Sequence, residues 1–169
     1  MALNPFIGNV SSLAEANALN TASYFGGATL VIFDDTSAQP ANCGITAATQ
    51  MSVTSPPNYN SNVCNILAVF TLPVAGSNTI VNYTTTTGGA TLTFGAITNV
   101  TANRSGNARW FRVLNGATVS GPSNQITVKG NEIMDGSIGT ATSDLILNSI
   151  AISSGATVSI SSFVITFPD

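Results

Sequence analysis

The sequence predicts an all-β fold, a β-sandwich of jelly-roll-like form carrying an N-terminal extended arm and one short helix. Three observations predict it. Short runs rich in Val, Ile, Thr and Leu follow one another from Gly26 to the end of the chain. Clusters of Gly, Pro, Asn and Asp separate them. Only one segment, close to the N-terminus, has helical spacing. Eight or so short strands bury their apolar faces by packing as two layers. Residues 1–25 are therefore expected to form the arm and helix, and residues 26–169 the β domain.

The arm is "MALNPFIGNV", where Pro5 disfavours helix at Asn4. It has neither a basic start nor a long apolar run, so no secretory leader is expected. Next comes "SSLAEANALNTASYF" (11–25), the predicted helix. Ser12 and Glu15 have capping-box spacing, and Leu13, Ala16 and Leu19 form a partial apolar stripe. So short a helix is marginal alone and must lie on its own β domain or on a neighbour.

"ATLVIF" (28–33) opens the β region and ends at the loop "DDTSAQPANCG". "ITAATQMSV" (45–53) alternates weakly, and "TSPPNYNSN" (54–62) is a further loop. "VCNILAVFTL" (63–72) is a strong strand stopped by Pro73. "TLTFGAIT" (91–98) and "ARWFRVL" (108–114) follow, the latter running into Asn115–Gly116, a favoured hairpin turn pair. "ATVS", "QITVKG" and "EIMDGSIG" continue the pattern, with Asp135–Gly136 as a second turn pair. "DLILNSIAI" (144–152) and "ATVSISSFVITF" (156–167) close the chain, and the alternation of the last changes phase at "FVITF". "GGATL" and "GATVS" each occur twice at irregular spacing, which reads as one local solution reused rather than as a repeat architecture.

Charge is scarce. Charged residues make up 7% of the chain, with seven acids, four bases and no His, for a net charge of −3. Ordinary domains carry about 25%. A surface wetted by hydroxyls and amides is poorly defended against association, so the chain is expected to live against other chains. Four bases cannot supply the phosphate contacts of a nucleic-acid binder. Without His there is no Ser-His-Asp triad, and Cys43 and Cys64 alone cannot complete a zinc site. The two cysteines are either a disulfide or two small buried thiols. Asp34, Asp35, Asp135 and Asp144 lack calcium-loop spacing and adjoin turns. Glu132 and Asp135 are the best carboxylate pair for a hydrolase, with no cleft implied around them. No enzyme activity, metal or cofactor is expected. No apolar stretch reaches membrane-spanning length, so no membrane association is expected either.

"SGNARWFRVLNG" (105–116) holds the only Trp and two of the four bases. As a strand it places Arg109, Phe111 and Val113 on one face and Trp110, Arg112 and Leu114 on the other. Large apolar groups on both faces mean burial on both sides. Trp110 and Arg112 are accordingly read as core or as anchors of a protein contact, with the arginines neutralising nearby acids.

Three segments resemble a group of small tailed-phage and prophage proteins. They are "NPF…LAEANAL" leading into "GGATLVIFDDTSAQP", then "SGNARWFRVLNGATV", then "MDGSIGTATSDLILNSIAISSGATVSISSFVITFPD". The resemblance covers most of the chain and is weakest between Thr46 and Thr87. "Gly-Asn-Ala-Arg" before Trp110 departs from the small residues the pattern has there. The resemblance implies a virion component, assembled in the host cytoplasm. The form that suits the composition is a head decoration (cement) protein, a homo-oligomer of trimeric type bound to the major capsid protein. Pro5, Phe6, Ile7 and Leu13 would then anchor the bridging arm, and Trp110 and Arg112 would make a subunit contact. The alternative is a tail, baseplate or head-fibre module that binds a receptor or carbohydrate, with Tyr24, Tyr59, Tyr83 and Trp110 as sugar platforms.

Overall fold

The apolar run expected at 28–33 forms a strand buried between two neighbours near one edge of the main sheet. The computed structural model describes residues 9–21, 24–34, 65–82, 89–120, 125–128 and 131–167. Helix α1 spans Asn9–Leu19. The strands are β1 (Thr29–Asp34), β2 (Asn65–Thr71), β3 (Thr79–Asn82), β4 (Ala90–Thr93), β5 (Val100–Thr101), β6 (Gly106–Asn107) and β7 (Trp110–Asn115). After them come β8 (Thr118–Ser120), β9 (Gln125–Val128), β10 (Asn131–Gly139), β11 (Leu145–Leu147), β12 (Ala151–Ile152), β13 (Thr157–Val158) and β14 (Ile160–Phe167). The protein is all-β with one short helix.

Eight strands form one ladder in the order β2-β1-β7-β10-β11-β14-β4-β3. All its pairs are antiparallel except β10 and β11. The ladder curls. Three strand spacings, about 14 Å in a flat sheet, separate β7 from β14. Yet Phe111 of β7 and Phe163 of β14 meet edge to face with ring centroids 5.4 Å apart. The concave face thus closes on itself, and its two halves confront each other as the layers of a sandwich do. Leu30, Ile32, Phe70, Leu92, Phe111, Val113, Phe163 and Phe167 fill the enclosed core. Helix α1 packs on that core through Ala16, with Leu19 beside it. Its support is its own β domain, against β3, β4 and β14.

The long strands "ATLVIF" and "ARWFRVL" appear where the sequence placed them, as does "VCNILAVFTL" over its described part, Asn65–Thr71. Several local expectations change. Ser12 is the fourth residue of a helix that begins at Asn9, so it is not the N-cap. Asp135–Gly136 is no turn. It lies within β10, and glycine is needed there because a Cβ would come within 2.5 Å of the Phe111 ring. Asn115–Gly116 does bend the chain, with Gly116 at φ 70°. It makes no hairpin, because β7 pairs with β1 and β10 while β8 pairs with β9. "DLILNSIAI" divides into β11 and β12, and "TLTFGAIT" is strand only through Thr93. Strand β3 was not anticipated. The phase change at "FVITF" is a bulge: Ile146 pairs with Ser162 but Leu147 with Ile160, leaving Ser161 extra. The expectations for Cys43, Cys64, Asp35, Tyr59, Tyr83 and the "ITAATQMSV" strand lie outside the described residues.

Candidate functional site

The concentration of chemistry in this chain is on the convex face of β1, β7 and β10. Alternation sends Val31 and Phe33 of β1, and Trp110 and Leu114 of β7, to this face, where they form a second apolar cluster with Ile66 and Val69 of β2. The expectation that the Trp110 strand is buried on both sides is met: all but the last residue of β7 are buried. Phe33 and Trp110, cross-strand partners, stack at 4.1 Å between centroids with an interplanar angle of 11°. The indole N–H of Trp110 is buried without a hydrogen-bond acceptor among the described residues.

Arg112 follows two residues later on the same face, with its guanidinium carbon 5.5 Å from the Trp110 ring centroid. Only 3% of it is exposed. Asp135 stands directly across from it on β10. The Arg112 Nε donates to Oδ1 of Asp135 at 2.6 Å, and Nη2 donates to Oδ2 at 3.0 Å. Nη1 donates to Glu132 Oε1. Residues three apart on a regular strand point to opposite faces. Here the register slips between Glu132 and Met134, so a bulge at Ile133 turns Glu132 to the side of Asp135. One buried cation is thereby held by two carboxylates, each about one-third exposed.

Beside this node lies an open cleft of about 410 Å³ lined by Leu19, Tyr24, Asn115, Asn131, Glu132 and Ile133. Tyr24 is 47% exposed, and its carbonyl accepts a hydrogen bond from Asn115 Nδ2 at 2.8 Å. A second carboxylate site ties β10 to β11. Asp144 Oδ2 accepts from the backbone N–H of Ser137 at 2.8 Å and from its hydroxyl at 2.7 Å. These two donors hold the Asp144 carboxyl below its ordinary pKa.

The residues singled out from sequence separate into three groups. Trp110 and Arg112 come together, and burial within one chain already accounts for both. Leu13 is half-buried on α1, where its carbonyl accepts from Asn17 Nδ2. Pro5, Phe6 and Ile7 lie outside the described residues. Glu132 and Asp135 do come together, both bonded to the Arg112 guanidinium. Sequence reasoning did not find the cleft, because Leu19, Tyr24 and Asn115 are brought together only by the tertiary fold. Among the described residues no group of three His, Cys, Asp or Glu side chains could hold a metal, and no helix is long and apolar enough to cross a membrane. Comparison with protein-family models, with curated proteins and with solved structures gives no match.

Proposed function

We propose that this chain is a virion structural protein, a head decoration (cement) protein that self-associates on the particle and holds neighbouring major capsid subunits. One observation carries the assembly part of the reading, the placement of charge. The chain has only eleven charged side chains, and the one buried cation among the described residues is spent internally on two of the acids. Apart from Glu132 and Asp135, what is exposed on the described strands is Thr, Ser, Asn, Val and Ala151, a surface with little ionic repulsion to keep copies apart. The three-segment resemblance to tailed-phage proteins supplies the particle. Many weak contacts repeated over a lattice give firm attachment where one alone would not.

The test is immunogold electron microscopy of intact virions, paired with a chain lacking residues 1–10. Gold over the head, and loss of head binding by a truncated chain that still melts as wild type, are expected. Gold confined to the tail, or full binding without the arm, overturns the reading.

The Tyr24 cleft favours a second reading, a glycan- or receptor-binding module on a tail, baseplate or head fibre. An exposed aromatic face beside two amides and a carboxylate suits a sugar ring. Trp110 is removed from the candidate platforms by its burial. Glycan-array binding lost in Tyr24→Ala would place this reading first.

A further inference from the structure

Asn115–Gly116 is the only Asn-Gly step in the chain. Strand β7 ends at Asn115, which pairs with Asn131 of β10. Gly116 lies just beyond it, exposed and at φ 70°. A Cβ built on Gly116 would meet nothing within 4 Å. The space beside its backbone nitrogen is therefore open, and glycine brings no side chain to fill it. Asn115 is half-buried on the wall of the Tyr24 cleft. Its Nδ2 reaches the Tyr24 carbonyl at 2.8 Å through a solvent-exposed bond. Water replaces such a bond at little net cost, so the carboxamide is often released from Tyr24.

We propose that Asn115 is a self-modification site, and that its deamidation unties the turn before β1 from the end of β7. The Gly116 backbone nitrogen attacks Cγ of Asn115. A C–N bond forms and closes a succinimide ring. The Cγ–Nδ2 bond breaks, and Nδ2 leaves as ammonia with the proton given up by the Gly116 amide. Water then opens the ring. Opening at one carbonyl gives aspartate. Opening at the other gives isoaspartate, whose backbone runs through Cγ and is longer by a methylene. Water is the only co-reactant.

The product changes the cleft. An ionised carboxylate only accepts hydrogen bonds, so the tie to the Tyr24 carbonyl becomes a meeting of two acceptors. The new anion also joins Glu132 on the same wall, in a chain whose net charge is already −3. Tyr24 belongs to the turn between α1 and β1, in which the Gly26 N–H donates to Thr21 and the Gly27 N–H to Pro73. Losing the tie loosens that turn. The extra methylene of the isoaspartate form falls beyond the last ladder pair, so β7 keeps its register. The inference does not rest on the virion reading.

The full chain, incubated near neutral pH below its melting temperature, tests it. Trypsin frees residues 113–129, and mass spectrometry follows the exchange of amide for carboxyl at Asn115 and at Asn148. Asn115 is expected to convert at least about tenfold faster than Asn148, whose neighbour Ser149 has a Cβ, a barrier lower by about 1.4 kcal/mol. Gly116→Ala crowds the nucleophile and Asn115→Gln requires a larger ring. Each is expected to slow conversion at this position at least about tenfold. Asn115→Asp carries the charge of the product. It is expected to speed hydrogen exchange at the Gly26 and Gly27 amides at least about twofold, the low end of what one hydrogen bond contributes. Conversion of Asn115 no faster than that of Asn148, or undiminished in Gly116→Ala, overturns the site. Unchanged exchange in Asn115→Asp overturns the untying.

Discussion

Arg112 and Asp135 stand directly opposite each other on β7 and β10 and share a two-point ion pair, Nε to Oδ1 at 2.6 Å and Nη2 to Oδ2 at 3.0 Å. The pair is buried at its cationic end and open at its acidic end. The consequence is asymmetric. Losing Asp135 leaves a buried guanidinium with Glu132 as its remaining carboxylate, whereas losing the arginine leaves carboxylates that water can still reach.

Asp135→Asn is therefore expected to destabilise the fold by about 3 kcal/mol, the lower end of the range for breaking a buried pair. Arg112→Met should cost less. Urea unfolding of the two single variants and the double variant checks this. A double-mutant cycle with no coupling would show that the two groups do not act as a pair.

Trp110 is the only tryptophan and is 2% exposed. Its emission should be blue-shifted and resist acrylamide in the folded chain, then move red in urea. Trp110→Ala should cost about 3–5 kcal/mol by leaving a cavity beside Phe33. A red-shifted native spectrum would contradict the stack.

Gly136 sits under the Phe111 ring. Gly136→Ala is expected to destabilise by about 1–3 kcal/mol through overpacking. Gly116→Ala should cost about 1 kcal/mol because of its positive φ alone. Thermal denaturation distinguishes them, and a neutral Gly136→Ala would mean that the ring can move aside.

Asp144 supplies a pH signature. Its folded pKa is depressed by the Ser137 donors, so its contribution to stability is fully present above the unfolded carboxylate pKa. That contribution is lost as pH falls through the folded value. Asp144→Asn should thus be less stable than wild type near neutrality, with the gap closing in acid. Ser137→Ala should raise the Asp144 pKa, read from its carboxyl carbon resonance. A gap that persists at low pH would mean that ionisation is not the cause.

The strands with β-branched runs were legible because local pattern and burial agree. Leu30 and Ile32 face one side of β1 and Val31 and Phe33 the other, and both sides are apolar. Burial of "ARWFRVL" on both sides followed from the same pattern. The Asp135–Gly136 turn was misread because local turn chemistry cannot register an aromatic ring arriving from the next strand. Strand β3 escaped because "TIVN" is short and sits among loop-like residues. Glu132 and Asp135, the best carboxylate pair in the sequence, do come together, and it is Arg112 that joins them. Their spacing suits one strand face only once a bulge is present, and nothing local announces the bulge. The Tyr24 cleft joins residues more than a hundred positions apart, which no window along the chain can see.

The ion node also bears on how the sheet finds its alignment. Several strands here are spelled from the same few letters, with "GATVS" and "GGATL" each occurring twice. Such strands can slide by two residues and still present similar faces. Strand β10 cannot slide so freely along β7. A two-residue slip sets Arg112 opposite Ile133 or Ser137 in place of Asp135, burying a cation without its partner at a cost of about 3–5 kcal/mol. Arg112 thus works as a checksum on strand alignment, a single position that rejects the near-identical pairings its neighbours would accept.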